Sequence, residues 1–155
     1  MNRTLLTGLA AVVAALCLPT SAPDAHAAAP TANVVAVEAS GQPGAYDFSV
    51  GIASPDRGCQ QYADWWEVLN ERGELLYRRI LWHSHTNEQP FERSGGPVNI
   101  TANQVVWVRA HMHPGGYGGA VFRGSVQVGF RQAVPAPGFA AGVEGLAPQA
   151  DSCAF

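Results

Sequence analysis

Apolar and polar positions alternate along most of the chain, and clusters of turn-forming residues interrupt the alternation at short intervals. Tyr46, Phe48, Val50 and Ile52 lie two residues apart, which is typical of a strand with one buried face. Further strands are predicted near residues 34–37, 62–69, 75–82, 98–100, 105–113 and 121–130, with a long loop over residues 86–97. No segment shows a convincing helical period. The pattern predicts an all-β fold, an antiparallel immunoglobulin/fibronectin-like β-sandwich of about seven strands.

The first 27 residues do not fit this pattern. The opening three residues carry one positive charge, an apolar run extends from Leu5 to Leu18, and Ala25-His26-Ala27 fits a cleavage site. We therefore predict that residues 1–27 are a signal peptide and that the mature protein is secreted or periplasmic. The run is too short to predict a membrane span. The alternative is a lipoprotein signal in which Cys17 is lipidated. Sequences that resemble such signals have a small residue directly before the cysteine, whereas this chain has Leu16 there.

The remaining chain divides into a β-sandwich domain over residues 28–133 and a coil tail over residues 134–155 that is rich in Pro, Gly and Ala. Outside the predicted signal peptide the cysteines are Cys59 and Cys153. An even number of cysteines in an oxidising compartment indicates a disulfide. A bond between Cys59 and Cys153 would tether the tail to the sandwich.

The charge balance excludes one broad class of partner. The chain has 9 basic and 12 acidic residues, and its formal net charge is -3. Binding to a phosphate backbone needs clustered positive charge, and the sequence contains no basic run. No nucleic-acid partner is therefore expected.

Histidine is distributed unevenly and supplies the strongest sign of a functional site. Outside the predicted signal peptide, the histidines form two His-x-His tripeptides, His83-Ser84-His85 and His111-Met112-His113. Because residues two apart in a strand point to the same face, each tripeptide is expected to present two imidazoles side by side. In a sandwich of the predicted kind, the strand from Tyr62 lies between the strands that begin at Leu75 and Val105. Both tripeptides then reach one sheet edge about 10 Å apart.

A gap of that size can be spanned by imidazoles that bind one ion with nitrogen–metal bonds of about 2 Å. The sequence therefore predicts one metal site with the ligands His83, His85, His111 and His113. Imidazole without thiolate suits a divalent transition metal, copper or zinc, and does not choose between them. Asp64, Glu67 and Glu88 are candidates for further ligands or for acceptors of ring N–H groups, the alternative being ordinary surface carboxylates. On this hypothesis the protein serves in metal buffering, delivery or sensing.

Alternation also predicts which faces these strands bury. On the strand from Val105, the apolar row suited to the core is Val106, Val108, Ala110 and Met112. The opposite, more exposed face is then expected to carry Trp107, Arg109, His111 and His113. On the strand from Leu75, the residues expected in the core are Leu76, Ile80 and Trp82, with Arg78 at the rim.

Two other functions remain open. The His-x-His tripeptides in an exported β-sandwich with one disulfide resemble copper-zinc superoxide dismutase, over those two tripeptides alone. That resemblance implies a metal-dependent oxidoreductase at the same residues. The second alternative is an extracellular module that binds a protein or a glycan, with incidental histidines, and separated histidine pairs would favour it. No nucleophile motif or paired catalytic carboxylate is recognisable, so no catalytic residue is assigned.

Overall fold

The structure is a computed structural model and describes residues 28–154. Its two antiparallel sheets have the strand orders β1-β2-β5 and β4-β3-β6-β7-β8. The strands are β1 (Asn33–Gln42), β2 (Ala45–Ala53), β3 (Tyr62–Asn70), β4 (Leu75–Ile80), β5 (Phe91–Val98), β6 (Val106–His113), β7 (Val121–Ser125) and β8 (Gly129–Ala133). The predicted all-β sandwich is confirmed. The predicted signal peptide lies outside the described residues.

The hydrophobic core lies between the two sheets and follows the predicted alternation on β2 and β6. The buried residues of β2 are Tyr46, Phe48, Val50 and Ile52. Those that β6 contributes to the core are Val106, Val108, Ala110 and Met112. Burial of one large apolar side chain stabilises the fold by about 1.5–3 kcal/mol. Met112, which is fully buried, is therefore a packing residue, as predicted.

Two strand predictions were wrong. Residues 91–98 form β5 where a loop was expected, because Pro97 lies on an edge strand and interrupts no interior ladder. Gly95 belongs to this strand for a packing reason, since a Cβ atom there would lie 2.6 Å from the Tyr77 hydroxyl. Residues 121–133 form the hairpin β7-β8 instead of one strand, and Gly129, with φ of 80°, begins β8 in a conformation that favours glycine.

The arrangement of β3, β4 and β6 is the predicted one, but β4 differs in detail. β3 lies between β4 and β6 and is antiparallel to both. β4 ends at Ile80, so the first histidine tripeptide lies in the following loop and not on a strand. The predicted core face of β4 was confirmed only for Leu76, which packs against the core, because Ile80 is buried outside the core cluster and Trp82 is exposed. Tyr77 packs on the core residue Trp66 with ring centroids 5.6 Å apart, whereas Arg78 is buried on the other face.

The tail crosses the outer face of the five-stranded sheet, meaning the face turned away from the three-stranded sheet. Arg109 and His111 are therefore buried there, and the prediction of a more exposed face on β6 was wrong for these two residues. We call residues 134–148 the strap. It contains one short 3-10 helix, Val143–Gly145, and its Phe139 ring packs 5.1 Å from that of Trp107. The predicted disulfide between Cys59 and Cys153 is present, with an S–S distance of 2.04 Å. Within residues 28–154 we find no helix with the length and apolarity needed to cross a bilayer.

Candidate functional site

A buried charged cluster lies under the strap on the outer face. Glu67 of β3 is fully buried and stands opposite Arg78 of β4 on one side and Arg109 of β6 on the other. Arg78 donates from Nε to Glu67 Oε2 at 2.9 Å, and Arg109 donates from Nε to Oε1 at 2.7 Å. A charge removed from water persists only when it is paired and hydrogen-bonded, and Glu67 meets both conditions.

Arg78 also holds the strap against the sheet. It donates from Nη1 to the carbonyl oxygens of Leu146 at 2.6 Å and Pro148 at 2.9 Å, and from Nη2 to that of Val143 at 2.7 Å. The strap forms no strand, so it has no ladder of its own with β4. The planar guanidinium of Arg78, which has five N–H donors, supplies hydrogen bonds to the strap backbone in place of a strand ladder.

His111 of β6 lies beside this cluster, with both ring nitrogens next to carboxylates. Its Nδ1 is 2.6 Å from Asp64 Oδ1, a distance typical of an N–H that donates to a carboxylate, and its Nε2 is 3.2 Å from Glu144 Oε1 of the strap. The ring stacks on Trp65 with centroids 3.7 Å apart. A register shift between Ala63 and Trp65 interrupts the β3–β6 ladder at Asp64, beside His111.

Tyr117 covers the same cluster from the loop after β6. Trp65 donates from Nε1 to the Tyr117 hydroxyl at 3.1 Å, and the Arg109 guanidinium lies 3.5 Å from the Tyr117 ring centroid. Burial, the largest cause, raises the pKa of Tyr117 above its ordinary value. The glycines of this loop allow close packing, since a Cβ on Gly119 would lie 1.9 Å from the Ala32 carbonyl oxygen. The loop thereby fixes the aromatic ring over β6.

His85 has a contrasting environment, on the inner side of the sandwich. Its ring stacks on Phe91 of the other sheet with centroids 3.7 Å apart, and the His83 ring lies 4.5 Å away. The His85 side chain is 2% exposed, and neither ring nitrogen has a hydrogen-bond partner among the described residues. Burial, aided by the positive charge of Arg93, lowers the pKa of His85 to about 4. His83 is exposed to solvent.

Asp56 positions the loop that carries this pair. Its Oδ2 accepts from the backbone N–H of His85 at 2.8 Å, and its Oδ1 accepts from that of Ala63 at 3.0 Å. The hydroxyl of Ser84 accepts from the backbone N–H of Gly58, next to the disulfide. The histidine loop is thus tied both to the start of β3 and to the disulfide region.

The two histidine pairs lie at the same end of β3, as expected from the strand order. His113 stands opposite Tyr62, and the backbone N–H of Leu81 donates to the Asp64 carbonyl oxygen at the start of the loop. His113 is exposed, with its ring centroid 5.9 Å from that of Tyr62. The strand order therefore places the pairs near one edge of the sheet.

The pairs differ in the face they occupy. His85 packs on the core residue Phe91, whereas His111 lies on the outer face, next to the strap. The structure therefore brings His83 and His85 together but does not bring the His85 ring together with that of His111. Across residues 28–154, no group of three or more His, Cys, Asp or Glu side chains is arranged to hold a metal ion. Binding of copper or zinc at the four histidines stays a prediction.

The carboxylates named from the sequence have unequal environments. Asp64 and Glu67 are buried, so their interpretation as surface groups was wrong, while Glu88 pairs on the surface with Arg93. The signal was present, because both acids interrupt the apolar run of β3 and a buried strand carries an acid only when it is partnered. Asp56 and Glu144 were missed, since neither stands in a pattern that distinguishes it from other loop residues.

A comparison with curated proteins found a similar sequence whose description names no activity. A protein of Halomicrobium mukohataei described as "Putative lipoprotein" is 38% identical over 104 residues, which are 66% of this chain and 51% of that protein. The chain thus spans about half the length of the curated relative it matches. No protein-family model matches the sequence, and no solved structure matches it.

Proposed function

We propose that this protein is exported and binds one divalent transition-metal ion, copper or zinc, through His83 and His85, for metal buffering, delivery or sensing. The observation that carries this proposal is the His85 ring, which is buried with no partner on either nitrogen. An unpartnered buried polar group costs about 1–3 kcal/mol. A ligand that occupies one of these nitrogens would offset that cost.

The spacing of the two rings supports a shared ion. A ring centroid lies about 3 Å from a metal bound to one of its nitrogens, because the bond itself is about 2 Å. Two imidazoles at angles between square-planar and tetrahedral values then have centroids about 4.5–5 Å apart. The centroids of His83 and His85 are 4.5 Å apart.

The chemical state and position of the rings are also suitable. At neutral pH the lowered pKa of His85 keeps its imidazole unprotonated, as a metal ligand must be. The exposed His83 gives an ion access from solvent. Two protein ligands leave coordination positions for water or for an incoming donor, which suits a protein that exchanges its metal.

Three features support export. The N-terminal 27 residues have the composition of a signal peptide. A disulfide joins Cys59 to Cys153, as expected in an oxidising compartment. The similar protein from Halomicrobium mukohataei is described as "Putative lipoprotein", which agrees with a location outside the cytoplasm or in the cell envelope. We propose the cleaved signal as the route and lipidation of Cys17 as the alternative.

The test is copper binding by protein purified without an affinity tag. Titration with Cu²⁺ should give at least one bound ion per chain, with nitrogen coordination visible by electron paramagnetic resonance. His83→Ala, at an exposed site, should weaken binding at least tenfold. His113→Ala is the matched control, because it removes an exposed histidine from the other pair, and it should leave the affinity unchanged.

The outcomes separate the alternatives. Equal affinity in the His83→Ala and unsubstituted proteins would contradict the proposal. A loss of similar size in His83→Ala and His113→Ala would instead support a site shared by all four histidines. The second candidate function, a module that binds a protein or glycan, is favoured by the separation of His85 from His111 on different faces, and it predicts no specific copper binding in any of these proteins.

A further inference from the structure

We propose that His111 and Glu144 bind a zinc-type divalent cation that fastens the strap to β6, with Asp64 as the residue that positions the His111 ring. This site is separate from the His83–His85 pair and does not depend on the proposed function. It uses one nitrogen and one carboxylate as protein ligands, with water in the remaining positions.

The distance between the two ligand atoms is the first argument. His111 Nε2 and Glu144 Oε1 are 3.2 Å apart. A direct charge-assisted hydrogen bond between such groups is about 2.7–2.9 Å long. Two ligands on a tetrahedral zinc, with bonds of about 2.0–2.1 Å, lie about 3.3 Å apart. The observed separation lies at the long end of the range for a direct hydrogen bond and within about 0.1 Å of the separation expected for two ligands of one zinc ion.

The other nitrogen of His111 supplies the second argument. A histidine that binds a metal through one nitrogen almost always donates its other N–H to a carboxylate or carbonyl, which fixes the tautomer. His111 Nδ1 lies 2.6 Å from Asp64 Oδ1, and Asp64 is buried. This short contact directs the Nε2 lone pair toward Glu144.

The ring is also held rigidly in this orientation. His111 stacks on Trp65 at an interplanar angle of 7° and meets the edge of Tyr117 at 74°. A preorganised ligand loses less conformational freedom when it binds. Trp65 and Tyr117 thereby favour the binding orientation before any ion arrives.

Glu144 determines how an ion reaches the site and how its binding would affect the strap. Its side chain is 60% exposed, so an ion can reach the site from solvent. Glu144 belongs to the 3-10 helix of the strap, whose neighbouring carbonyls are held by Arg78. An ion shared by Glu144 and His111 would add a second attachment between strap and sheet, and would slow opening of the strap.

The experiment measures zinc binding in full-length mature protein that carries His83→Ala and His85→Phe, which remove the other histidine pair. Calorimetric titration with Zn²⁺ should give one ion per chain. Glu144→Gln, at an exposed position, should weaken binding at least tenfold. Asp64→Asn should weaken it about 10–100-fold, the usual effect of losing a carboxylate behind a ligating histidine. Glu74→Gln is the matched control and should leave the affinity unchanged.

A second measurement tests the attachment of the strap. With zinc, hydrogen exchange of the backbone amides in residues 134–148 should slow, and Glu144→Gln should abolish that change. Each of three outcomes would overturn the proposal. These are no zinc binding in the His83→Ala/His85→Phe protein, an unchanged affinity in Glu144→Gln, and hydrogen exchange of the strap that is the same with and without zinc. Failure of copper binding at His83 would not affect this result, because these proteins lack that pair.

Discussion

The two histidine tripeptides have the same spacing but opposite environments. His111 lies on β6, and each of its ring nitrogens has a carboxylate neighbour, Asp64 or Glu144. His85 lies in the loop after β4, packed on Phe91, and its ring nitrogens have no partner among the described residues. The His111 imidazole lies within hydrogen-bond distance of carboxylates, whereas the His85 imidazole packs on aromatic rings and its Nδ1 lies 3.9 Å from Asp56 Oδ2.

The difference shows what a short motif does and does not determine. On a strand, alternation orients both histidines, and His111 and His113 follow it. In a loop, orientation depends on the hydrogen bonds that hold the backbone, here those of Asp56 with His85 and Ala63. The side chains of a His-x-His tripeptide can therefore lie in polar or in apolar surroundings.

The largest expected effect tests the satisfied network. Glu67→Gln leaves Arg78 and Arg109 buried without their shared negative charge. Loss of one partner from a buried ion pair costs about 3–5 kcal/mol of unfolding free energy. Urea unfolding followed by tryptophan fluorescence measures it. The matched control is Glu74→Gln, which removes an exposed partner of Arg72 and should have a much smaller effect, because solvent and salt screen an exposed ion pair.

Equal losses in the two variants would show that the outer-face cluster is no more sensitive than a surface pair. The Glu67 cluster would then not differ in stability from an exposed ion pair, and its contrast with the surroundings of His85 would not hold. A loss confined to Glu67→Gln would support the cluster as the main polar attachment of β3 to its neighbours.

Much of the fold could be predicted from the sequence, because alternation carries the information. The core rows of β2 and β6 and the position of β3 between β4 and β6 follow from it. The faces of β4 could not be predicted, since Arg78 is buried by pairing with Glu67 of the neighbouring strand. A hydrophobicity pattern does not register a partner that is distant in sequence.

The candidate site was predictable only in part, for a related reason. The histidine residues were visible as a motif, and the disulfide from the count of cysteines. The contacts of His111 with Asp64 and Glu144 depend on a register shift in β3 and on the path of the strap. Alternation along β6 was enough to predict the face of His111, and Asp64 was a named candidate for its acceptor. The contact with Glu144 and the loop position of His83 and His85 leave no local sequence signal and could not be derived beforehand.

An acid titration tests the unsatisfied region, with the next largest effect. In the folded protein the pKa of His85 is lowered from 6.5 to about 4 by burial and by the charges of Arg93 and His83, against the opposing effect of Asp56 and Glu88. Between these values the unfolded chain takes up a proton that the folded protein does not, so stability falls as pH decreases from 6.5 to about 4. The loss is on the order of 3 kcal/mol.

The measurement is urea unfolding at several pH values in the presence of a chelator. Other groups also titrate in this range, so the informative quantity is the difference between the unsubstituted protein and His85→Phe. That difference should grow in favour of His85→Phe as the pH is lowered, and should level off below the pKa of folded His85. A difference that stays constant with pH would contradict the low pKa.

The smallest effect is also the most direct test of the comparison, because the same substitution is made at both histidines at neutral pH. His111→Phe deprives the buried Asp64 of its partner and should cost about 1.5–3 kcal/mol, the range for a hydrogen bond to a charged group. His85→Phe removes no hydrogen bond of the ring and retains an aromatic surface against Phe91, so its effect should stay within about 1 kcal/mol. Urea unfolding of the two variants side by side measures both. If the variants lose the same stability, the two imidazoles have equivalent surroundings, and the contrast between a partnered and an unpartnered ring does not hold.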